Sequence, residues 1–397
     1  MKRYIIGAVA AALAVLGIAA CGGSDSGSSG SSAQFKVPDR PIISTVGKGE
    51  GALSLVVWAG YAEDGSTDKA VNWVTPFEKD SGCQVNAKTA NTSDEMVTLM
   101  RTGRYDGVSA SGNASVRLIA GGDVSPIDTK ILTNWADIDQ NVKNQPYNSV
   151  NGQMYGAPHG YGANLLLWRT DKVKTAPDSW GVVFDPASPY KGKVTAYDDP
   201  ISIADAALYL SKTQPDLKIT NPYELDQKQF DASVALLKKQ RTIIGEYWSD
   251  YTKMQAAVTQ GDTVLGTTWQ VIANLLKADK VPIKTVLPKE GSTGWSDTWM
   301  VSSKAKHPNC MVKWMNWITS PKVNAQVAEW FGEAPANNKA CAQTADKTHC
   351  ATFHQGDTAF LKQVKFWQTP VSNCRDSRGN TCVDYSRWVQ AWTDIKG

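Results

Sequence analysis

Hydrophobic and polar positions recur along this chain with two different periods, which together predict a succession of strands and helices. Residues 53–58 form a short apolar run typical of a buried strand, whereas residues 67–81 place Val71, Val74 and Phe77 on one face of a helix. The same periods predict strands over residues 84–89, 105–109, 193–197, 263–268 and 283–287 and helices over residues 93–101, 203–212, 227–240 and 253–260. Because strands alternate with helices in both halves of the chain, we expect an α/β fold built from two units.

Two further segments are predicted to connect these units. Residues 155–169 are rich in glycine and run into an apolar strand, which can carry the chain from the first unit to the second. A strand over residues 299–303 and a helix over residues 310–319 would return the chain to the first unit.

The N-terminal segment is predicted to direct export rather than to join the fold. Lys2 and Arg3 precede an apolar run over residues 4–20 that is short and Ala-rich for a membrane span, so residues 1–20 are typical of a signal peptide. The small residues before Cys21 resemble a bacterial lipobox, in which the cysteine thiol is acylated and becomes the new N-terminus. We expect residues 21–51 to form a lipidated, flexible linker, since its first part is almost entirely Gly and Ser. The predicted location is therefore the outer side of the cell membrane.

Composition suits a soluble globular protein that binds a small molecule rather than nucleic acid. Of the 397 residues, 42% are hydrophobic, which is ample for a core, and the length favours two domains. Lys and Arg total 41 against 38 Asp and Glu, so a net charge of +3 offers no broad cationic surface for phosphates. The 15 Trp and 13 Tyr supply aromatic faces suited to organic or cationic ligands, although most are expected in the core.

The cysteine count agrees with export, because six cysteines remain besides Cys21: Cys83, Cys310, Cys341, Cys350, Cys374 and Cys382. An even number in an oxidising compartment predicts three disulfides. Pairing Cys341 with Cys350 and Cys374 with Cys382 would close short polar loops and leave Cys83 for Cys310, while other connectivities remain open. A zinc cluster of Cys341, His349, Cys350 and His354 is the less favoured alternative, since the location favours disulfides and the spacing fits no familiar zinc finger.

Several short motifs follow one another in a distinctive order: Trp58-Ala59-Gly60-Tyr61, Tyr105-Asp106, Tyr155-Gly156-Ala157-Pro158, Tyr197-Asp198-Asp199, Gly266-Thr267-Thr268-Trp269, Pro288-Lys289-Glu290-Gly291, Trp295-Ser296-Asp297 and Gly332-Glu333-Ala334-Pro335-Ala336-Asn337. This order, over residues 53–338, resembles the extracellular solute-binding proteins of bacterial ABC importers, most closely the spermidine/putrescine-binding branch.

The resemblance implies a two-lobed, type II periplasmic-binding-protein fold with a ligand cleft between lobes joined by crossing strands. Residues 52–158 and 299–338 would form lobe 1 and residues 159–298 lobe 2, with a Cys-rich segment, residues 339–397, packing on the lobes. The implied function is capture of a polyamine by a monomeric lipoprotein, which delivers it to a membrane permease and its ATPase. No catalytic activity, cofactor or metal is expected.

A polyamine carries ammonium groups at intervals along an aliphatic chain, so its cleft needs carboxylates and aromatic faces. By the resemblance, Asp297 beside Trp295 is the principal amine contact, and the full set of ligand contacts is Trp58, Tyr61, Ser111, Asp199, Trp269, Trp295, Asp297 and Glu333. The alternatives are a turn aspartate for Asp297, which we place in a Gly/Ser-rich turn, and an ordinary core residue for Trp269. Trp269 is favoured because it ends a predicted strand, where open α/β sheets bind ligands.

Three positions depart from the pattern of this branch. Gly60 and Ser202 stand where the branch often has glutamates, and Glu333 stands where it commonly has tyrosine. We therefore expect a ligand that differs in length or charge, with Glu333 restoring one negative charge. Gln368 corresponds to a C-terminal polar contact.

Other function classes find less support in the sequence. None of the four histidines, His159, His307, His349 and His354, lies beside a Gly-x-Ser-x-Gly elbow, so a serine hydrolase is not indicated. Carboxylate pairs for glycoside cleavage cannot be read from sequence spacing. A ferric-ion site lacks the expected pair of consecutive tyrosines, and a sugar-binding relative, which would also use Trp side chains, is the main alternative.

Overall fold

The computed structural model describes residues 37–397, so the predicted signal peptide, Cys21 and the Gly/Ser-rich stretch lie outside the described residues. The described end of the predicted flexible linker is bound to the fold. Ile43 forms a β-bridge with Ile127, and the Glu50 carboxylate accepts hydrogen bonds from the main-chain N–H groups of Asn309 and Cys310. The linker prediction therefore extends too far towards residue 51, because these long-range contacts hold residues 37–51 in place.

Thirteen strands lie within residues 37–397: β1 (Ala52–Val57), β2 (Gln84–Thr89), β3 (Gly107–Ser111), β4 (Ser149–Val150), β5 (Gln153–Met154), β6 (Ala157–Arg169), β7 (Val194–Tyr197), β8 (Ile244–Trp248), β9 (Leu265–Trp269), β10 (Ile283–Val286), β11 (Ser292–Val301), β12 (Ala334–Pro335) and β13 (Val364–Phe366).

The same part of the chain contains thirteen α-helices: α1 (Val74–Ser81), α2 (Ser93–Arg101), α3 (Gly112–Ala120), α4 (Gly181–Phe184), α5 (Ser202–Thr213), α6 (Gln227–Arg241), α7 (Tyr251–Gln260), α8 (Gln270–Ala278), α9 (Pro308–Ile318), α10 (Pro321–Phe331), α11 (His349–Thr352), α12 (Thr358–Leu361) and α13 (Tyr385–Lys396). Short 3-10 helices cover Thr129–Ile131, Trp135–Asp137, Pro215–Leu217 and Ala340–Ala342.

Local side-chain caps explain where several helices begin. Thr92 caps α2, its hydroxyl accepting a hydrogen bond from Glu95 N. Asp226 and Gln229 form a reciprocal capping box at α6, and Asp250 caps α7 through Thr252 N. Each cap satisfies N–H groups that have no partner within the helix, which stabilises the helix start by about 1 kcal/mol.

One continuous sheet runs through the molecule, in the strand order β2-β1-β3-β11-β6-β9-β7-β8, and β4 pairs only with β5. The long strand β6 is antiparallel to β11 along its first half and to β9 and β10 along its second half. Strand β11 in turn is antiparallel to β3. The two predicted connecting segments, now seen as β6 and β11, therefore lie side by side at the centre of the sheet.

Two large hydrophobic cores lie on either side of these central strands. The first core combines β1 and β3 with α1, α2, α3 and α9, and includes Leu55, Phe77, Met96, Val108 and Trp314. The second combines β7, β9, α5, α6, α8 and α13, and includes Val194, Ile203, Phe230, Leu265 and Trp388. We call the elements around the first core the first lobe and those around the second core the second lobe. The observed architecture is α/β, as the alternation of strands and helices predicted.

Two predicted elements differ from the structure. The first helix begins at Val74 rather than at residue 67, because a β-bridge between Asp64 and Asn72 closes a loop before it. Trp295 and Asp297 lie inside the buried strand β11 and not in a turn. The strand continues through Trp295 because Gly162 lies opposite, where a Cβ atom would be only 2.6 Å from the indole ring.

Residues 37–397 contain three disulfides, which join Cys83 to Cys310, Cys341 to Cys350 and Cys374 to Cys382. The prediction of three bridges with this connectivity is confirmed. The two cysteines of the alternative zinc cluster are therefore bonded to each other. Across residues 37–397, every helix is too short or too polar to traverse a bilayer.

Candidate functional site

A pocket opens between the two lobes, where several strands of the sheet end. Trp58 follows β1, Ser111 ends β3, and Trp269 ends β9. Ligands of open α/β sheets bind at such carboxyl ends. Six of the thirteen residues that form the pocket wall are aromatic: Trp58, Tyr251, Trp269, Trp295, Phe331 and Trp367.

Asp297 is the buried acidic group of this wall, with only 2% of its surface exposed. Strand pairing sets it opposite Ser111 of β3 and Gly160 of β6, and the register of β11 shifts directly after it. Such a bulge re-aims a side chain out of the regular strand. Ser111 Oγ donates to Asp297 Oδ1 at 2.5 Å, and Tyr61 Oη lies 2.7 Å from Asp297 Oδ2.

Tyr61 reaches Asp297 because the chain turns sharply after β1. Tyr61 N donates to Trp58 O at 3.2 Å, and Gly60, the third residue of this turn, has φ +90°. A turn of this kind favours glycine at that position, since a side chain would be strained there. The departure at Gly60 therefore has a backbone reason.

Glu333 lies behind this part of the wall rather than on the pocket surface. Its side chain is fully buried, and its Oε2 is 2.8 Å from Tyr61 Oη. The carboxyl group occupies the space beside Gly160, where an added Cβ atom would be 2.2 Å from Glu333 Cδ. Strand β12 pairs Pro335 with Gly160, which brings Glu333 to this place.

Burial dominates the electrostatics of this cluster. It raises the pKa of the Asp297 carboxyl to about 7, although the hydrogen bonds from Ser111 and Tyr61 act in the opposite direction. Burial, and next the charge of Asp297, raise the pKa of Glu333 well above its usual value. Burial also lowers the pKa of His159, whose Nε2 is 3.4 Å from Glu333 Oε1, to about 3.

The aromatic side of the pocket is built on the second lobe. Trp269 is half-buried and packs edge-on against Trp248, with ring centroids 4.9 Å apart, and against Tyr197 at 5.3 Å. Tyr197 stacks on Trp367 at 5.7 Å. These contacts hold Trp269 in place while one part of it remains free for a ligand.

Six of the eight predicted contacts gather around this pocket. Trp58, Ser111, Trp269, Trp295 and Asp297 line it, and Tyr61 bonds to Asp297 from behind.

The structure places Asp199 and Gln368 outside the pocket wall. Asp199 is buried in a turn where its Oδ1 accepts a hydrogen bond from Ile201 N at 2.8 Å, and burial raises its pKa to about 7. Gln368 Oε1 accepts a hydrogen bond from Arg375 at 2.5 Å. Both side chains therefore have local partners in this structure.

Sequence reasoning missed several residues of the wall, namely Asn91, Ser249, Asp250, Tyr251, Phe331 and Trp367. Ser249, Asp250 and Tyr251 directly follow β8, so the strand-end rule that selected Trp269 would also have selected them had residues 244–248 been predicted as a strand. Phe331 and Trp367 carry no comparable signal, since they reach the pocket only through the packing of the C-terminal third of the chain. Among the residues that the structure describes, no cluster of three or more His, Cys, Asp or Glu side chains is arranged to hold a metal ion.

The chain has clear relatives among known proteins. Residues 72–352 match the sequence profile of a family described as bacterial extracellular solute-binding protein. The spermidine/putrescine-binding periplasmic protein of Escherichia coli K12 is 29% identical over 303 residues, which cover 72% of this chain and 82% of that protein.

Solved structures show the same fold at lower sequence identity. The substrate-binding protein PotD of a spermidine/putrescine ABC transporter from Streptococcus pneumoniae has a TM-score of 0.67 and 19% identity, covering 87% of this chain and 97% of that one. The TpPotD lipoprotein of Treponema pallidum has a TM-score of 0.70 and 15% identity, covering 87% and 99%. These likenesses confirm the two-lobed fold expected from the sequence. Since the family profile matches well over half of this chain, the chain belongs to the bacterial extracellular solute-binding proteins.

Proposed function

We propose that this protein is the substrate-binding component of a bacterial ABC importer and captures a polyamine, of the spermidine or putrescine kind, between its lobes. The proposal rests mainly on the position of Asp297, a buried carboxylate on the wall of an aromatic pocket. Within residues 37–397, none of the ion pairs includes it. The name of the Escherichia coli relative supports the same class of ligand.

An ammonium group is the natural partner for this carboxylate. A buried charge without a partner is costly, whereas a cation that donates a charge-assisted hydrogen bond to it offsets that cost. The methylenes of a polyamine pack on the flat indole faces of Trp58, Trp269 and Trp295, and the ammonium gains further from the electron-rich rings.

Asp250 supplies a second carboxylate to the same pocket. Its Oδ1 is occupied by the cap of α7, accepting from Thr252 N at 2.8 Å and Thr252 Oγ1 at 2.7 Å. We infer that this carboxylate also meets a second ammonium group of the ligand. The spermidine/putrescine-binding branch often has glutamates where this chain has Gly60 and Ser202. In this proposal Asp250 provides a carboxylate in their place.

A panel of ligands tests the proposal against its main alternative, a sugar-binding protein of the same fold. Spermidine, putrescine and maltose would each be added to the protein in thermal-shift and calorimetric experiments. A ligand at about 100 times its dissociation constant stabilises the folded state by about 2.7 kcal/mol. We expect stabilisation by an amine and none by maltose; stabilisation by maltose alone would refute the amine assignment and leave the fold unaffected.

Trp269→Ala should weaken polyamine binding about tenfold, since it removes a cation–π contact and packing together worth about 1–2 kcal/mol. Isothermal titration calorimetry measures the change. Trp135→Ala is the matched control, because Trp135 is half-buried like Trp269 but lines neither this pocket nor the neighbouring cavity that Trp269 also borders. Equal losses in both variants would mean that Trp269 acts through general stability rather than through ligand contact.

We further propose that Cys21 is lipidated and holds the protein at the outer side of the membrane, where it meets a permease and its ATPase. The lipobox-like residues before Cys21 support this, and the Treponema pallidum relative in fold is itself described as a lipoprotein. Cys21→Ala should release the protein from membranes or block its processing, as seen by fractionation and mass spectrometry. Ser29→Ala, in the predicted linker, is the control and should remain membrane-bound. An acylated, correctly cut Cys21→Ala protein would contradict the proposal.

A further inference from the structure

We propose that Glu333 carries a proton in the folded protein and acts as a positioning residue: it donates this proton to the Tyr61 hydroxyl, so that Asp297 remains as the single negative charge of the buried cluster. The consequence for ligand binding rests on the proposed function, whereas the location of the proton does not.

Two carboxyl groups share the hydroxyl group of Tyr61. Tyr61 Oη lies 2.7 Å from Asp297 Oδ2 and 2.8 Å from Glu333 Oε2, and both are hydrogen-bond distances. A tyrosine hydroxyl has one proton and can donate it to only one acceptor. The other contact therefore needs a second proton, which must belong to one of the two carboxyl groups.

Glu333 is the better place for this second proton. Asp297 borders the pocket and already accepts a hydrogen bond from Ser111, which stabilises its ionised form. Glu333 is fully buried, and no residue within the described range 37–397 donates a hydrogen bond to its Oε1. An ionised carboxylate in that position would have no counter-charge among the described residues, which costs far more than burying the neutral acid.

The groups that face Glu333 do not provide a positive charge. Its side chain meets Tyr61 from the turn after β1, Asp297 from β11 and His159 from β6. Burial lowers the pKa of His159 to about 3, so this ring is neutral near pH 7. His349 of α11 bonds only to the main-chain oxygen of Glu333, and burial lowers its pKa as well. In the described part of the chain, no Lys or Arg forms an ion pair with Glu333.

With the proton on Glu333, all the hydrogen bonds of this cluster are donated towards Asp297. Glu333 donates to Tyr61, Tyr61 donates to Asp297, and Ser111 donates to the other oxygen of Asp297. Asp297 is thus held by two donors and keeps one charge for the ligand. The deep end of the pocket then suits one ammonium group and not a divalent cation, for which two adjacent carboxylates would be expected.

Glu333→Gln provides a test that needs no ligand, because glutamine has the shape of the protonated acid but cannot ionise. In the wild type, the folded state keeps a proton that the unfolded chain releases above the ordinary glutamate pKa of about 4.5. Raising the pH above this value therefore destabilises the wild type but not Glu333→Gln. Denaturant unfolding gives the folded-to-unfolded ratio of Glu333→Gln and of the full wild-type chain at each pH. Between pH 5 and pH 8, the ratio of the variant divided by that of the wild type should rise about tenfold per pH unit.

Glu290→Gln is the matched control for this experiment. Glu290 is also a buried glutamate, but unlike Glu333 it accepts hydrogen bonds from Ser179 Oγ at 2.5 Å and Trp180 N at 3.2 Å. Its glutamine variant should show no such rise with pH. A flat profile for Glu333→Gln would overturn the inference, since it would mean that Glu333 is ionised in the folded protein.

Ligand binding supplies the second readout. Glu333→Ala leaves Tyr61 free to turn away from Asp297 and should weaken spermidine affinity about fivefold or more at pH 8, whereas Glu333→Gln should restore affinity to within about threefold of the wild type. A loss in Glu333→Gln as large as in Asp297→Asn would show that Glu333 contributes a charge of its own. If the wild type binds no amine, the proposed function fails, while the pH profile still decides where the proton lies.

Discussion

Asp297→Asn should weaken the binding of spermidine or putrescine about tenfold or more. The variant keeps the shape of the side chain and its place opposite Ser111, but it removes the charge that the ammonium group meets in the pocket. A hydrogen bond to a charged group contributes about 1.5–3 kcal/mol, which corresponds to at least a tenfold change in the dissociation constant. Isothermal titration calorimetry at pH 8 measures the effect.

The same residue predicts how binding depends on pH. Burial raises the pKa of Asp297 to about 7 in the empty protein, so the carboxyl is largely protonated below pH 7 and ionised above it. An ammonium ligand requires the ionised form, and affinity should therefore fall as the pH is lowered below 7, by up to about tenfold per pH unit. Asp297→Asn should lose this dependence together with most of its affinity.

Asp205→Asn is the matched control for Asp297→Asn. Burial also raises the pKa of Asp205 to about 7, and a hydroxyl, that of Thr293, likewise bonds to its carboxyl group, but Asp205 does not line the pocket. We expect its variant to bind polyamines with nearly wild-type affinity. Unchanged binding by Asp297→Asn would contradict the assigned contact, and a loss in Asp199→Asn would show that Asp199 contributes to the bound state as the family resemblance implied.

Removal of the Cys83–Cys310 disulfide should lower the free energy of unfolding by about 5 kcal/mol. This bridge joins residues 227 positions apart, from the start of β2 to α9, and both side chains are fully buried in the first lobe. Closing so long a loop restricts the unfolded chain strongly, and in the chain-entropy account the effect grows with loop length. Denaturant unfolding of the Cys83→Ala/Cys310→Ala double variant measures it.

The Cys341–Cys350 bridge offers the comparison for this experiment. It spans only nine positions, so its double alanine variant should lose about 2–3 kcal/mol. If the short bridge proved as important as the long one, native-state packing rather than chain entropy would be the source of the stabilisation.

Much of the fold follows from short-range pattern. Residues 84–89 and 93–101 were predicted with the bounds that β2 and α2 have in the structure, because alternation in the first and a capped apolar face in the second are local properties. The glycine-rich connecting segment, residues 155–169, was also predicted and is seen as β6, whereas of β11 only the last three residues lie in the strand predicted over residues 299–303. By contrast, the start of α1 was predicted too early. A β-bridge between Asp64 and Asn72 closes a loop before the helix, and hydrophobic periodicity does not reveal such a bridge.

The candidate site also contains residues that were predicted from the sequence and features that were not. Trp269 was recognised as the end of a strand, and Trp295 with Asp297 as a motif, whereas their position inside β11 was not. That position depends on Gly162 of β6, which leaves space for the Trp295 ring across the sheet. Asp250 was overlooked since β8 was not predicted, and Phe331 and Trp367 reach the pocket from elements that lie far from it in the chain.

Local pattern was thus enough for the α/β class, because the alternation of strands and helices lies in neighbouring positions. The main acidic and aromatic residues were identified by the resemblance to the solute-binding family, and the cysteine count predicted three disulfides while leaving their connectivity open. The cluster around Tyr61 was not accessible in this way. Its partners Asp297 and Glu333 lie 236 and 272 positions further along the chain, and they meet it only because β11 and β12 both pair with β6. Which carboxyl group borders the pocket, and which is buried behind it, is therefore a property of strand pairing and burial that no stretch of the sequence carries alone.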